Sequence, residues 1–170
     1  MQTGDHGGPI FVYPFSATAL TTNPQDLWCV TAPSNSRLAV REIRFGQYSD
    51  PGDAQAEMLS ITFMSGSTAG STGAGTAITG LNINRYSTAV VPAASASVNG
   101  PSTSLSSTAS ATVIFADTFN VMGGFRYYPV PAERYIIGMS QRFVVRMTAP
   151  NDALTVNGTL MLQEIGQTPQ

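Results

Sequence analysis

Lysine is absent from this sequence, histidine and cysteine occur once each, and charged residues make up only 11% of the 170 positions. Without lysine there is no Schiff-base amine and no lysine to grip phosphates in a P-loop. The single histidine, His6, lies between Asp5 and Gly7-Gly8 near the N-terminus. It is a poor anchor for a Ser-His-Asp or Cys-His arrangement, whose base must be held to within about 0.5 Å. One histidine and one cysteine cannot furnish a tetrahedral zinc site within the chain. Cys29 has no partner for an internal disulfide, and the apolar run Leu27-Trp28-Cys29-Val30 predicts a buried small hydrophobe. The eight cations are all arginine, dispersed in ones and twos, and the net charge is −2. No basic stripe exists to neutralise a run of phosphates, so nucleic acid is not expected as a partner. The opening MQTGDHGGPIFVY carries neither a basic region nor a long apolar stretch, and no window reaches the roughly 18 apolar residues of a membrane span. Neither a secretory signal nor a membrane partner is expected. Together these shortages predict a protein that is not an enzyme and takes no cofactor.

What is present is 42% hydrophobic residues with few charges to solvate them. Such a balance predicts that part of the surface is covered by something other than water, as in an assembly subunit. The length fits one domain with one core. Between Glu57 and Asp117 the only charged side chain is Arg85. The stretch beginning at Ser65, SGSTAGSTGAGTAITG, has too few large side chains to build a core of its own. The expected organisation is an N-terminal arm at residues 1–9, a sandwich domain at 10–166 with a Ser/Thr/Ala/Gly-rich insert at 65–110, and a tail at 167–170.

No stretch holds a helical period for three turns, whereas strand signals recur between Pro, Gly, Asn and Asp. Strands are predicted at residues 10–20, 27–31, 37–47, 57–64, 81–91, 111–115, 125–130, 134–139, 142–148 and 154–165. In the third of these, Leu38 and Val40 have opposite parity to Ile43 and Phe45. A bulge near Arg41-Glu42 would bring all four to the core side. In the fourth, Leu59, Ile61 and Phe63 alternate with Ser60 and Thr62 as in a half-buried strand. Gly123-Gly124, Asn99-Gly100-Pro101 and Asn157-Gly158 read as turns. The fold class is therefore all-β, a single-domain β-sandwich of jelly-roll-like type.

Candidate sites are few. Asp50, Asp53 and Glu57 are the densest carboxylates and the only, weak, candidates for a metal, calcium; Asp50-Pro51-Gly52-Asp53 reads better as a turn, since the remaining ligands of an EF-type loop are absent. No pattern places two of Asp53, Glu57 and Asp117 across a sugar. Arg126, Tyr127 and Tyr128, within the aromatic group of Phe125 and Tyr135 and among Pro129, Pro131 and Arg134, form the best candidate for partner contact, since Tyr and Arg are enriched at interface hot spots. Arg142 and Arg146 share the polar face of a strand opposite Phe143, Val145 and Met147, either solvated or paired with a neighbouring subunit. Ile10, Phe11 and Tyr13 are further candidates: this apolar run after a Gly-Gly-Pro hinge either adds to a neighbour's sheet or forms the first strand of its own sandwich.

Two stretches carry a resemblance. QYSDPGDAQAEML at residues 47–59 and FNVMGGFRYYPVPAER at 119–134, continuing through QRFVVR at 141–146 to Gly158-Thr159-Leu160, resemble small virion-associated proteins of tailed bacteriophages. The resemblance spans most of residues 37–165 and carries no catalytic motif. It implies a structural role in the virion after assembly in the host cytoplasm. A capsid decoration (cement) protein suits the size and β-content, with the major capsid protein or other virion proteins as partners and a homo-oligomer, a trimer, at three-fold lattice positions. The alternatives are a tail or baseplate component, or a glycan-binding host-attachment module using Tyr127, Tyr128 or Trp28.

Overall fold

The computed structural model describes residues 8–20, 23–48, 58–67, 75–84, 95–101, 112–148 and 154–165. The strands in chain order are β1 (Ile10–Leu20), β2 (Gln25–Thr31), β3 (Arg37–Gln47), β4 (Met58–Ser67), β5 (Thr76–Ala77), β6 (Leu81–Asn82), β7 (Ser95–Pro101), β8 (Thr112–Asn120), β9 (Phe125–Tyr127), β10 (Ile136–Ile137), β11 (Gln141–Met147) and β12 (Leu154–Ile165). A single 3-10 turn, Pro131–Glu133, interrupts the β-structure among the described residues. The strands form two antiparallel sheets, as the sequence pattern requires. Sheet A runs β10-β3-β12-β1-β6, with β9 also paired to β3, and sheet B runs β5-β7-β2-β11-β4-β8.

Alternation determines which residues meet between the sheets. Leu59, Ile61 and Phe63 of β4 are buried while Ser60 and Thr62 are half-exposed on the other face. In β3 the register against β12 jumps so that Met161 faces Glu42 and Leu162 faces Val40, leaving Arg41 as the extra residue of a bulge. That one residue changes the parity of the strand, and Leu38, Val40, Ile43 and Phe45 are all buried in the core. Aromatic rings fill its centre: Phe15 lies 4.7 Å from Trp28, Phe45 lies 5.1 Å from Phe119 and 5.4 Å from Phe125, and Phe63 stacks on Phe115 at 4.6 Å. Cys29 is buried on the opposite face of sheet B, with Val144 and the half-buried Met64.

Several expectations are corrected. Phe11 and Tyr13 are not partner contacts, because both are fully buried in the chain's own core. The run Ile10–Leu20 is the first strand of its own sandwich, paired with β12 along most of its length. Pro14 is tolerated there because the Ile10 carbonyl faces β6, accepting from Ile83 N–H at 3.0 Å, and alternation turns Pro14 nitrogen the same way, past the last β6 pair at Val12. Asn99-Gly100-Pro101 is not a turn; it ends β7, with Gly100 opposite Asp26 and Pro101 opposite Gln25. Asn157-Gly158 is likewise no turn but the middle of β12. A Cβ on Gly158 would come within 2.7 Å of both the Phe15 and the Trp28 rings, so glycine is required for the rings to approach the backbone. The predicted turn at Gly123-Gly124 is present, with Gly124 at φ +67°. Residues 134–139 contribute only the short β10, and of 81–91 only β6 lies among the described residues as strand.

Candidate functional site

Sheet A turns a polar face outward, and the register of its strands collects arginines there. Arg44 of β3 stands directly opposite Arg126 of β9. Like charges at opposed positions repel, and Glu42, two residues before Arg44 on the same face, offsets this by taking both. One carboxylate oxygen of Glu42 lies 3.1 Å from Arg126 Nε and 4.0 Å from Arg44 Nη1. The Glu42 side chain is only 8% exposed, whereas Arg44 and Arg126 are 55% and 66% exposed. The Arg126 guanidinium also sits 5.4 Å from the centre of the Tyr128 ring, and Tyr128 is itself exposed. A second pair of guanidiniums lies further along this face. Arg41 Nη1 and Arg134 Nη1 both donate to Gln163 Oε1, at 2.8 and 3.4 Å. Four of the eight cations thus lie along one side of a sheet. This grouping was missed in the sequence because Arg126 and Glu42 are 84 residues apart. The local signal that was there is the Glu42-x-Arg44 pair on the polar face of β3.

Of the aromatic group, Tyr128 is exposed and Tyr127 turns inward. The Tyr127 ring packs edge-on to Phe63 at 5.1 Å and to Phe115 at 5.0 Å. It borders a cavity of about 250 Å³ between the two sheets, lined also by Ile114, Glu133, Tyr135 and Ile136. Burial, and then the nearby Glu133 carboxylate, raise the Tyr127 phenol above its ordinary 10.0.

The remaining predicted contacts are placed differently from expectation. Arg142 and Arg146 do share the face of β11 opposite Phe143, Val145 and Met147, but Arg142 is only 2% exposed, and its Nε donates to Thr31 Oγ1 at 3.5 Å. Arg146 pairs within the chain, Nε to Asp26 Oδ1 at 2.7 Å and Nη2 to Oδ2 at 3.3 Å. Both are thus engaged within the chain, Arg142 buried and Arg146 half-buried. Ile10 is half-buried. Trp28 is fully buried, its indole N–H donating to the Tyr13 carbonyl at 3.0 Å, and has no face to offer a sugar. Asp50, Asp53, Glu57 and His6 lie outside the described residues. Among the described residues no group of three or more His, Cys, Asp or Glu is placed to hold a metal ion. No helix among them is long and apolar enough to cross a membrane. Asp117 is exposed and accepts a hydrogen bond from Thr118 N–H at 2.7 Å.

The described surface thus offers an exposed arginine-tyrosine group on sheet A and exposed apolar side chains at Val113, Val130, Ile136 and Met139. Comparison with known protein families, curated proteins and solved structures found no match to this chain.

Proposed function

We propose that this chain is a structural subunit of a tailed-bacteriophage virion, a decoration (cement) protein that assembles as a homotrimer and braces the major capsid protein of the head. The observation that carries an assembly role is the open edge of sheet B. β8 ends the strand order, and among the described residues nothing pairs with its far side. Phe115, Asp117 and Phe119 face their partners on β4. Thr118 N–H turns instead to the Asp117 side chain, so the alternate backbone groups of this strand point away from β4. A nine-residue edge with one charge and no proline is a template for pairing with another chain. Exposed Val113, Val130, Ile136 and Met139 add apolar area around it and around the nearby β10 edge.

The reading of the path as jelly-roll-like rests on the pairing of β1 with β12, β2 with β11 and β3 with β10, the pattern of a long hairpin rolled up on itself. Cement acts through multiplicity: linked subunits raise the effective concentration of each later contact. Sedimentation of the purified protein tests the trimer, and cryo-electron microscopy of particles carrying it tests the placement. Regular density over the shell is the expected outcome. Density confined to the tail would replace this reading by that of a tail or baseplate component, and a monomer without attachment to particles would overturn it.

A further inference from the structure

Beside Arg44 the outer face of sheet A holds a depression of about 430 Å³, bordered by Pro14, Ser16, Arg44, Gly46, Asn157 and Thr159. Its origin is a missing side chain. By alternation Gly46 faces outward, and a Cβ built on it would meet nothing within 4 Å. At Gly158 the would-be Cβ points the other way, into the Phe15 and Trp28 rings, so the backbone there is bare on the outside. The row across the strands reads Arg126, Arg44, Thr159, Pro14, each opposite the next. One wall of the depression is therefore cationic and the rest neutral.

The two opposed arginines keep a net positive charge after Glu42 has met them, in a protein whose overall charge is −2. Each guanidinium has five N–H donors in a planar fork, and Glu42 engages Arg126 through Nε, while the Arg126 side chain stays 66% exposed. We propose that this depression docks an extended acidic segment of a partner protein, whose carboxylate enters beside Arg44 and is received by Arg44 and Arg126. The match is one of charge and shape together. A carboxylate fits a guanidinium fork bidentately, and the neutral floor of Gly46, Thr159 and Pro14 accepts a flat peptide backbone. A nucleic-acid backbone fits less well, because the positive charge stops at Arg44 instead of continuing along the row, and the Glu42 carboxylate lies beside both guanidiniums. The proposal deepens the assembly reading, since it names the chemistry of the partner that such a subunit would grip.

The test uses the full chain and a fluorescein-labelled peptide of alternating Glu and Val, with the matching Lys-Val peptide and single-stranded DNA of similar charge as controls, read by fluorescence anisotropy. Saturable binding of the Glu-Val peptide is expected, weakening as salt rises. Arg44→Gln with Arg126→Gln is expected to weaken it by about tenfold or more. Gly46→Leu leaves every charge in place and fills the depression, and it is expected to weaken binding to a similar extent; Gly46→Ser is the smaller substitution should leucine disturb folding. Arg44→Lys keeps the charge without the fork and is expected to fall between wild type and the double variant. Equal affinity of wild type, the double variant and both Gly46 variants would overturn the proposal. So would the lack of saturable peptide binding, or DNA binding tighter than peptide binding that is lost with Arg44 and Arg126. Failure of the peptide with particle attachment intact refutes this site alone, whereas failure of attachment with the peptide still bound refutes the virion reading alone.

Discussion

Asp26 is the most exacting residue of sheet B: its carboxylate is fully buried and both oxygens are taken by Arg146. A buried pair is costly to break from one side, because the survivor keeps its charge without its solvation. Asp26→Ala is therefore expected to lower the unfolding free energy by about 3 kcal/mol in urea denaturation, and Asp26→Ala with Arg146→Met to recover most of that loss. Tyr127 gives a second prediction at this scale. Its phenol is raised above 10.0 by burial and by Glu133, so the folded protein holds the proton more tightly than the unfolded chain. The resulting stabilisation is fully present below pH 10 and is lost as pH rises through the raised folded-state value, because the unfolded chain ionises first. Denaturation curves taken across the alkaline range are expected to show this decline, and Tyr127→Phe to remove part of it.

Among the elements, β12 binds sheet A together, paired on one side with β3 and on the other with β1. Its centre is Gly158, where the Phe15 and Trp28 rings come down onto the backbone. A methyl group there has to displace two core aromatic rings, so Gly158→Ala is expected to cost about 1–3 kcal/mol, read from the shift in urea midpoint at unchanged slope. Gly46 lies on the outer side of the neighbouring strand with open space above it, and Gly46→Ala is expected to leave the midpoint nearly unchanged. The contrast separates a glycine required by packing from one that merely leaves room. β8 illustrates the opposite condition: among the described residues it is paired on one side only, with β4, and it carries mostly exposed side chains.

At the scale of the whole molecule the sandwich closes around aromatic rings contributed by both sheets, and the first strand belongs to that closure. Phe11→Ala is expected to cost about 3–5 kcal/mol of the isolated chain's stability, whereas Tyr128→Ala, on the outer face, is expected to stay within about 0.5 kcal/mol. Chemical denaturation of the two variants side by side checks both values. If Phe11→Ala unfolded like wild type while weakening assembly, the placement of β1 in the core would be refuted. Among the described residues the open strand edge lies on sheet B and the exposed arginine group on sheet A, so the two can be altered independently.

The strands whose side chains alternate on their own were legible in the sequence. Leu59, Ile61 and Phe63 announce β4, the parity break in Arg37–Gln47 announces the bulge at Arg41, and Gly123-Gly124 announces the turn before β9. These are local consequences of backbone period and of the conformations open to glycine, so no distant contact is needed to read them. β7 was not legible, because the alternation of Ser-Ala-Ser-Val rests on two small apolar residues and runs into Asn-Gly-Pro, and the segment becomes a strand by pairing with β2 and β5. Asn157-Gly158 has the residues of a turn, and only the approach of Phe15 and Trp28 makes it the middle of a strand. The arginines show the same division most plainly. Composition by itself determined that this chain has arginine as its only strong cation, one histidine, one cysteine and few charges, and hence what chemistry it lacks. The tertiary structure alone decided that Arg44 faces Arg126 across two paired strands while Arg142 is buried and Arg146 pairs with Asp26 within sheet B, because strand register, a long-range property, selects which side chains share a face and which meet solvent.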